Sequence, residues 1–282
     1  MNNKLTIADL IEAKETGRKI AAVSCYDYTT AALMASAGIE MILVGDSAAQ
    51  VILGHDSTLP ATMDFMVTIT AAVRRGAPDV CLVADMPFLS YHTDLNDAVK
   101  NAGRFVQQAG VQLIKIEAAE AHLDVIKAVS DAGMAVMAHI GIRPQTITKL
   151  GKLKAQGTTA EMAYDLINLA DKMINAGAGT LLLEGTAAKV AQIITNRVNV
   201  PVISCGSGPH CDGQILLIPD ILGLSLGASP KFAKSYVNLK PQITNAVTEY
   251  AQQVRSGSFP DHQHSYHLKT GQLEKLNKLL EN

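Results

Sequence analysis

The sequence predicts an α/β chain closed into a (β/α)8 barrel, the TIM-barrel architecture. Three observations carry that expectation. Eight short apolar runs alternate with stretches of helical periodicity. The runs are almost uniformly apolar, as strands buried on both faces of a parallel sheet are. The eight β–α pairs fit into about 250 residues, the usual size of such a barrel.

The strand candidates are IAAVSC (20–25), MILVG (41–45), VCLVA (80–84), LIKIE (113–117), AVMAH (135–139), TLLLE (180–184), PVIS (201–204) and ILGLSL (221–226). Helical periodicity is clearest over 61–75, 95–108, 121–131 and 159–175. Gly38, Gly76, Gly110, Gly133 and Gly177 stand where helices should stop, because glycine accepts the left-handed conformation that ends a helix. A doubly wound open sheet is the alternative, but no G-x-G-x-x-G follows the first strand. Residues 1–266 are assigned to a single catalytic barrel. Residues 267–282, HLKTGQLEKLNKLLEN, form a short polar amphipathic helix appended to it.

Composition narrows the function classes. Of 282 residues 48% are hydrophobic and 18% charged, with a formal net charge of -2. That balance gives no electrostatic footprint for nucleic acid or a membrane surface. No apolar run approaches the ~18 residues that span a bilayer, and the first twenty residues lack the apolar core of a signal peptide. Cys25, Cys81, Cys205 and Cys211 contain no CxxC pair, which suggests reduced thiols and a cytoplasmic location. The spacing of Cys205, His210 and Cys211 fits no standard zinc site.

Chemistry in such barrels gathers where the strands end, and here the strand ends carry charge. The second run leads into Asp46-Ser47 and the third into Asp85. The fourth carries Lys115 and Glu117, the fifth closes on His139 and the sixth on Glu184. Lys115 and Glu117 lie two apart on a strand, so they share a face. Burying both is costly unless they pair or hold something. Taken singly, Asp46 or Asp85 would serve as a helix N-cap, and His139 as a structural histidine. Taken together, the ionisable ends of five strands make a functional cluster. A few hard oxygen ligands with a lysine nearby suit Mg2+ that keeps positions open for water or substrate. Such an ion on Asp46 and Asp85 would chelate a 2-oxo acid and favour its enolate. Lys115 would offset the developing charge, and Glu184 would serve as general base.

At these residues the chain resembles the ketopantoate hydroxymethyltransferase family. The resemblance rests on YDY (26–28), VGDS (44–47), GHDSTLP (54–60), VRRGAP (73–78), ADMPF (84–88), KIE (115–117), AHIGIRPQ (138–145), LLLE (181–184), DGQIL (212–216), PKFAK (230–234) and SGSFPDHQHSY (256–266). It runs from about residue 4 to 266. It implies a Mg2+-dependent barrel enzyme that moves a hydroxymethyl group from 5,10-methylenetetrahydrofolate to 3-methyl-2-oxobutanoate, giving 2-dehydropantoate for pantothenate and coenzyme A synthesis. It implies Asp46, Asp85 and Glu117 at the metal, and Asp46, Ser47, Asp85 and Lys115 on the oxo acid. His139 would line the site, Glu184 would be the proton acceptor, and the enzyme would be a homodecamer. The alternatives are a related Mg2+-dependent 2-oxo acid carbon–carbon lyase or transferase, and a non-catalytic paralogue. The chain departs from the family pattern at Ala49, Ala118, Ala119 and Arg143, over 151–157, and at Ser204, Cys205 and Ser207. Those departures bear on the donor and the acyl group more than on the metal.

Overall fold

A computed structural model describes residues 4–227 and 230–281. In chain order its elements are α1 (Ile7–Glu15), β1 (Ile20–Ser24), α2 (Tyr28–Ser36), β2 (Met41–Val44), α3 (Ala48–Val51), α4 (Met63–Gly76), β3 (Cys81–Asp85), α5 (Leu95–Ala109), β4 (Leu113–Glu117), α6 (Leu123–Asp131), β5 (Ala135–Gly141), α7 (Ile147–Leu150), α8 (Ala160–Asn175), β6 (Ala178–Glu184), α9 (Ala188–Arg197), β7 (Val202–Cys205), β8 (Gly213–Leu217), α10 (Ile218–Ile221), α11 (Leu239–Ser256) and α12 (Gln272–Leu280). The eight strands form a closed barrel in sequence order, all parallel. β8 closes on β1, with Gly213 opposite Ile20. The chain divides into two compact units, Met1–Ile221 with Ser225–Ser235, and Leu222–Leu224 with Tyr236–Asn282.

The strands are apolar on both faces because two cores meet at the barrel wall. Ile114, Ile116, Val136, Ala138, Leu181 and Leu183 point outward into the layer shared with the helices. Their neighbours in sequence point inward. Toward the strand starts the inward residues are apolar: Ile20, Met41, Cys81, Leu113 and Ile203 pack with Leu10 and Ala13 of α1, which shuts the floor of the barrel. Lys14 of α1 holds this plug to the wall through Asp212 Oδ2 at 2.8 Å and Thr195 O at 2.9 Å. Toward the strand ends the inward positions of β3 to β6 become Asp85, Lys115 with Glu117, His139 and Glu184. The period-2 geometry of a strand thus stacks apolar floor beneath ionisable mouth.

The outer helices begin where short polar side chains cap them. Asp27 accepts from Thr30 N, Thr62 from Phe65 N, Asp94 from Asp97 N and Thr159 from Met162 N. Such caps satisfy N–H groups that no helical carbonyl reaches. The expected stretches agree with α4, α5, α6 and α8 within two residues.

Two expectations need correction. The eighth strand is Gly213–Leu217 and not 221–226. Ile221 instead ends the one-turn α10, and Gly223 follows in the left-handed region at φ +67°. The true strand opens on a glycine because β1 comes so close there. A Cβ on Gly213 would lie 2.7 Å from Ile20 O. Gly76 is likewise no left-handed stop, unlike Gly38, Gly110, Gly133 and Gly177. It is the last residue of α4, and a Cβ there would sit 2.2 Å from Tyr28 O. Its glycine permits a close helix crossing.

In the second unit, α11 ends at Gly257 in the left-handed conformation. Ile243, Val247, Tyr250 and Val254, spaced four, three and four apart, are all exposed along it. α12 lies inside the stretch expected to be helical and exposes Leu273, Leu276, Leu279 and Leu280.

Candidate active site

Every residue singled out from the strand ends lines one cavity of about 340 Å³ at the mouth of the barrel: Asp46, Ser47, Asp85, Lys115, Glu117, His139 and Glu184. Strand register brings them together. Asp85 of β3 is opposite Lys115 of β4, and Glu117 is opposite His139 of β5. Glu184 of β6 is opposite Gly141, just past His139. Asp46 and Ser47 occupy the tight turn between β2 and α3.

Lys115 pairs with Asp85 and not with Glu117: its Nζ is 2.7 Å from Asp85 Oδ1. The other oxygen of Asp85 accepts the Asp46 backbone N–H at 3.0 Å. That bond pins the β2 turn to β3. The Ser47 hydroxyl is held 2.8 Å from the Tyr26 hydroxyl. Gln145, in a single 3-10 turn after β5, braces the acids. Its carboxamide nitrogen donates to Asp46 Oδ2 and to Met86 O, both at 3.0 Å, and its backbone N–H donates to Glu117 Oε2 at 3.0 Å. Tyr91 completes the brace by donating to Gln145 Oε1 at 2.8 Å.

The other side of the cluster is loosely held. His139 Nε2 is 3.4 Å from Glu184 Oε2, and Nδ1 is 3.8 Å from Glu117 Oε1. Both ring nitrogens and Glu117 Oε1 are buried without a hydrogen bond. Glu184 is the more accessible acid, its side chain 21% exposed, whereas Glu117 keeps 2%.

Burial governs the charges. It pushes the Asp46 carboxyl up to about 7, and the neighbouring Asp85 charge adds to the rise. Burial also raises Glu117 well above the carboxylate range, against the attraction of Lys115 and with the repulsion of Asp46 and Asp85. For Lys115 burial acts downward, but Asp85, Glu117 and Asp46 together outweigh it and hold the ammonium charged. Burial, then the Lys115 charge, lowers His139 and keeps its ring neutral. Three buried carboxyls therefore surround one buried ammonium. A divalent cation would cancel the excess of negative charge and restore the ionised forms. Among the described residues no set of three or more His, Cys, Asp or Glu is disposed to enclose a metal. The fit is therefore to an ion held by two carboxylates with its remaining positions open, the habit of Mg2+.

Gln145, Tyr91 and Tyr26 are site residues that strand-end reasoning missed. Gln145 and Tyr91 come from loops, and only the fold brings them to Glu117. The available signal was that Gln145 closes the block AHIGIRPQ and Tyr26 opens YDY. Cys205 lines the cavity, while Cys211 Sγ meets Thr195 Oγ1 at 3.5 Å. Arg143 donates to Ala118 O at 3.4 Å, and the Ala119 N–H donates to His122 Nδ1. Ser204 and Ser207 hold the turn after β7 through one another and through Leu183 O.

Comparison with known proteins identifies the family. The profile of a family described as ketopantoate hydroxymethyltransferase matches residues 4–262. A 3-methyl-2-oxobutanoate hydroxymethyltransferase of Geobacter metallireducens is 47% identical, over 94% of this chain and 100% of its own. The enzyme of that name from Hyperthermus butylicus is 45% identical, over 98% and 96%. Among solved structures, 2,3-dimethylmalate lyase superposes with a TM-score of 0.60 at 16% identity, covering 98% of this chain and 96% of that one. Phosphonopyruvate hydrolase in complex with oxalate and Mg2+ gives 0.59 at 13%, covering 98% of each. These distant structures share the fold. Among the described residues, no helix is long and apolar enough to cross a membrane. The near relatives and the matched profile settle the family: this chain is a member of the ketopantoate hydroxymethyltransferases.

Proposed function

We propose that the enzyme transfers a hydroxymethyl group from 5,10-methylenetetrahydrofolate to 3-methyl-2-oxobutanoate, giving 2-dehydropantoate in the pathway to pantothenate and coenzyme A. The observation that carries this reading is the convergence of Asp46, Asp85, Lys115, Glu117, His139 and Glu184 on one buried cavity. Asp46 and Asp85 would hold Mg2+, with Glu117 beside them. Bound there, the ion supplies Lewis-acid polarisation of a 2-oxo group.

The protein's own groups do the rest. Ser47, aligned by Tyr26, and the Lys115 ammonium orient the oxo acid. Lys115 also faces the negative charge that grows as C3 loses its proton, in a setting where charge interactions are strong. Glu184 takes that proton. It is more exposed than Glu117, and the neutral His139 ring stands beside it at 3.4 Å. His139 lines the cavity beside Glu184. The nucleophilic carbon then forms a C–C bond to the one-carbon unit, for which the donor must come within ~3–3.5 Å. Over the reaction both C–N bonds of that unit break with their electrons returning to the folate nitrogens, one water supplies the hydroxyl, and tetrahydrofolate leaves. The chain works in the cytoplasm as a homo-oligomer, a decamer by resemblance. The four buried thiols and the exposed apolar stripe of α11 favour that setting.

The test follows deuterium loss from C3 of 3-methyl-2-oxobutanoate alongside product formation, with and without Mg2+ and the folate. Exchange that needs Mg2+, and product that needs both, is the expected result. Exchange without product under any folate donor would remove the hydroxymethyltransferase reading. Bound oxo acid with no exchange would remove Glu184 as the base.

A further inference from the structure

The reaction above uses the β2 to β6 side of the cavity. The remaining wall is different in kind. Ile215, Leu217, Pro230 and Phe232 make it apolar, and it carries a buried carboxyl, Asp220, 5% exposed in α10 just beyond β8. Around the closed ring β8 lies across from β4, the strand of Lys115 and Glu117. A Ser225 hydroxyl donates to Asp220 Oδ1 at 2.5 Å and fixes the carboxylate plane. The Phe232 ring is seated on Gly206, where a Cβ would come within 2.4 Å of it. A cavity of about 340 Å³ exceeds what a five-carbon oxo acid fills, and is of the size that holds a larger ligand.

A buried carboxylate in an apolar wall is costly unless its acceptor positions are used, and the bond from Ser225 is made to Oδ1. We infer that Asp220 recognises the pterin ring of the one-carbon donor, its carboxylate accepting the two parallel N–H donors of the ring's 2-amino-4-oxopyrimidine edge. This rests on the folate reading given above. The amide N3–H and the exocyclic amine form a planar fork, and a carboxylate is its bidentate complement. The flat faces of the ring match Phe232, Leu217 and Pro230, which line the cavity with Asp220. Donor ring and oxo acid then face each other across one cavity, as transfer between them requires.

The test compares wild type, Asp220→Asn and Ser225→Ala. For Asp220→Asn the KM for 5,10-methylenetetrahydrofolate should rise at least about ten-fold, and the KM for the oxo acid by less than about three-fold, as loss of one charge-assisted pair predicts. Affinity for 6-methyltetrahydropterin, which has no tail, should fall by the same factor. Its 2-desamino analogue should bind wild type as weakly as the pterin binds the variant, and the variant should no longer distinguish the two. Ser225→Ala, which keeps the carboxylate, should change the folate KM far less. An unchanged folate KM in Asp220→Asn, or the same loss in Ser225→Ala, would overturn the inference and leave Asp220 as a tie for the 225–235 segment. If wild type makes product without need of this folate, the donor reading itself fails and the inference falls with it. If wild type needs the folate and only the Asp220→Asn result is negative, the donor reading stands.

Discussion

The two sides of the catalytic cluster are built on opposite terms. On the side made by β2, β3 and β4, Asp85 is held by Lys115 and the Asp46 N–H, and Asp46 and Glu117 by Gln145. On the side made by β5 and β6, the His139 ring makes no hydrogen bond among the described residues, and its Nε2 stands 3.4 Å from Glu184 Oε2. Glu117 belongs to both, with one oxygen bonded to Gln145 N and the other buried without a partner. The difference tracks what each side must do. In the proposed reaction the groups that would fix a metal and an anion act through orientation, and bonds from Lys115, the Asp46 N–H and Gln145 hold them before a ligand arrives. A group that must accept a proton and return it needs freedom in its own bonding.

The contrast can be broken at the tied side first. Asp85→Asn removes a proposed metal ligand and leaves the Lys115 ammonium buried without its counter-charge, a change of about 3–5 kcal/mol for a buried pair. Turnover should drop to background while circular dichroism stays native. Retained turnover would mean that Asp85 has no role at the metal. Glu184→Gln strikes the loose side. C3 exchange should slow by roughly 10²–10⁴-fold, the range for loss of a general base, with oxo acid affinity little altered. Equal loss of affinity and rate would make Glu184 a binding group instead.

Gln145→Leu tests whether the bracing matters as such. It leaves Asp46, Met86 O and Tyr91 each short of a partner. Stability should fall by about 1–3 kcal/mol in chemical denaturation, and Mg2+ should bind more weakly. A variant as stable as wild type, with native Mg2+ affinity, would show that the acids orient themselves. The mildest probe is pH. The Asp46 carboxyl is raised from 3.8 to about 7, so below that point Mg2+ must displace a proton to bind. Apparent Mg2+ affinity should weaken by about ten-fold per pH unit below 7 and level off above it, as one displaced proton requires. Calorimetric titration with Mg2+ at pH 6, 7 and 8 reads this directly, and affinity independent of pH over that range would rule the raised carboxyl out.

Much of this site was legible because a parallel barrel reports its mouth in linear order. Each strand runs from floor to mouth, so a charge at the end of an apolar run is a charge at the mouth. That logic found Asp85, Lys115, Glu117, His139 and Glu184. It failed where an element did not look like itself. The eighth strand is expected at 221–226 instead of Gly213–Leu217, since the crowding by Ile20 that demands glycine at the start of β8 is invisible in one dimension. It also failed for Gln145 and Tyr91, which reach Glu117 from loops after β5 and β3. Nothing local distinguishes a loop glutamine that braces two carboxylates from one that faces water. The pairing of Lys115 with Asp85 instead of Glu117 was hidden for a related reason. It depends on inter-strand register, which composition does not record.

The apolar plug at the strand starts also matters at the other end of the barrel. Leu10 and Ala13 of α1 seal the floor against Met41, Cys81 and Leu113, so the charged mouth rests on a thick layer of low polarisability. That layer works as an insulator. Field lines from Asp85 and Lys115 are confined to the cavity side, where the same two charges interact several times more strongly than in water. A nine-residue helix that touches no substrate thereby sets the electrical background of the reaction. Loosening it would let water in beneath the cluster and weaken the chemistry without moving one catalytic atom.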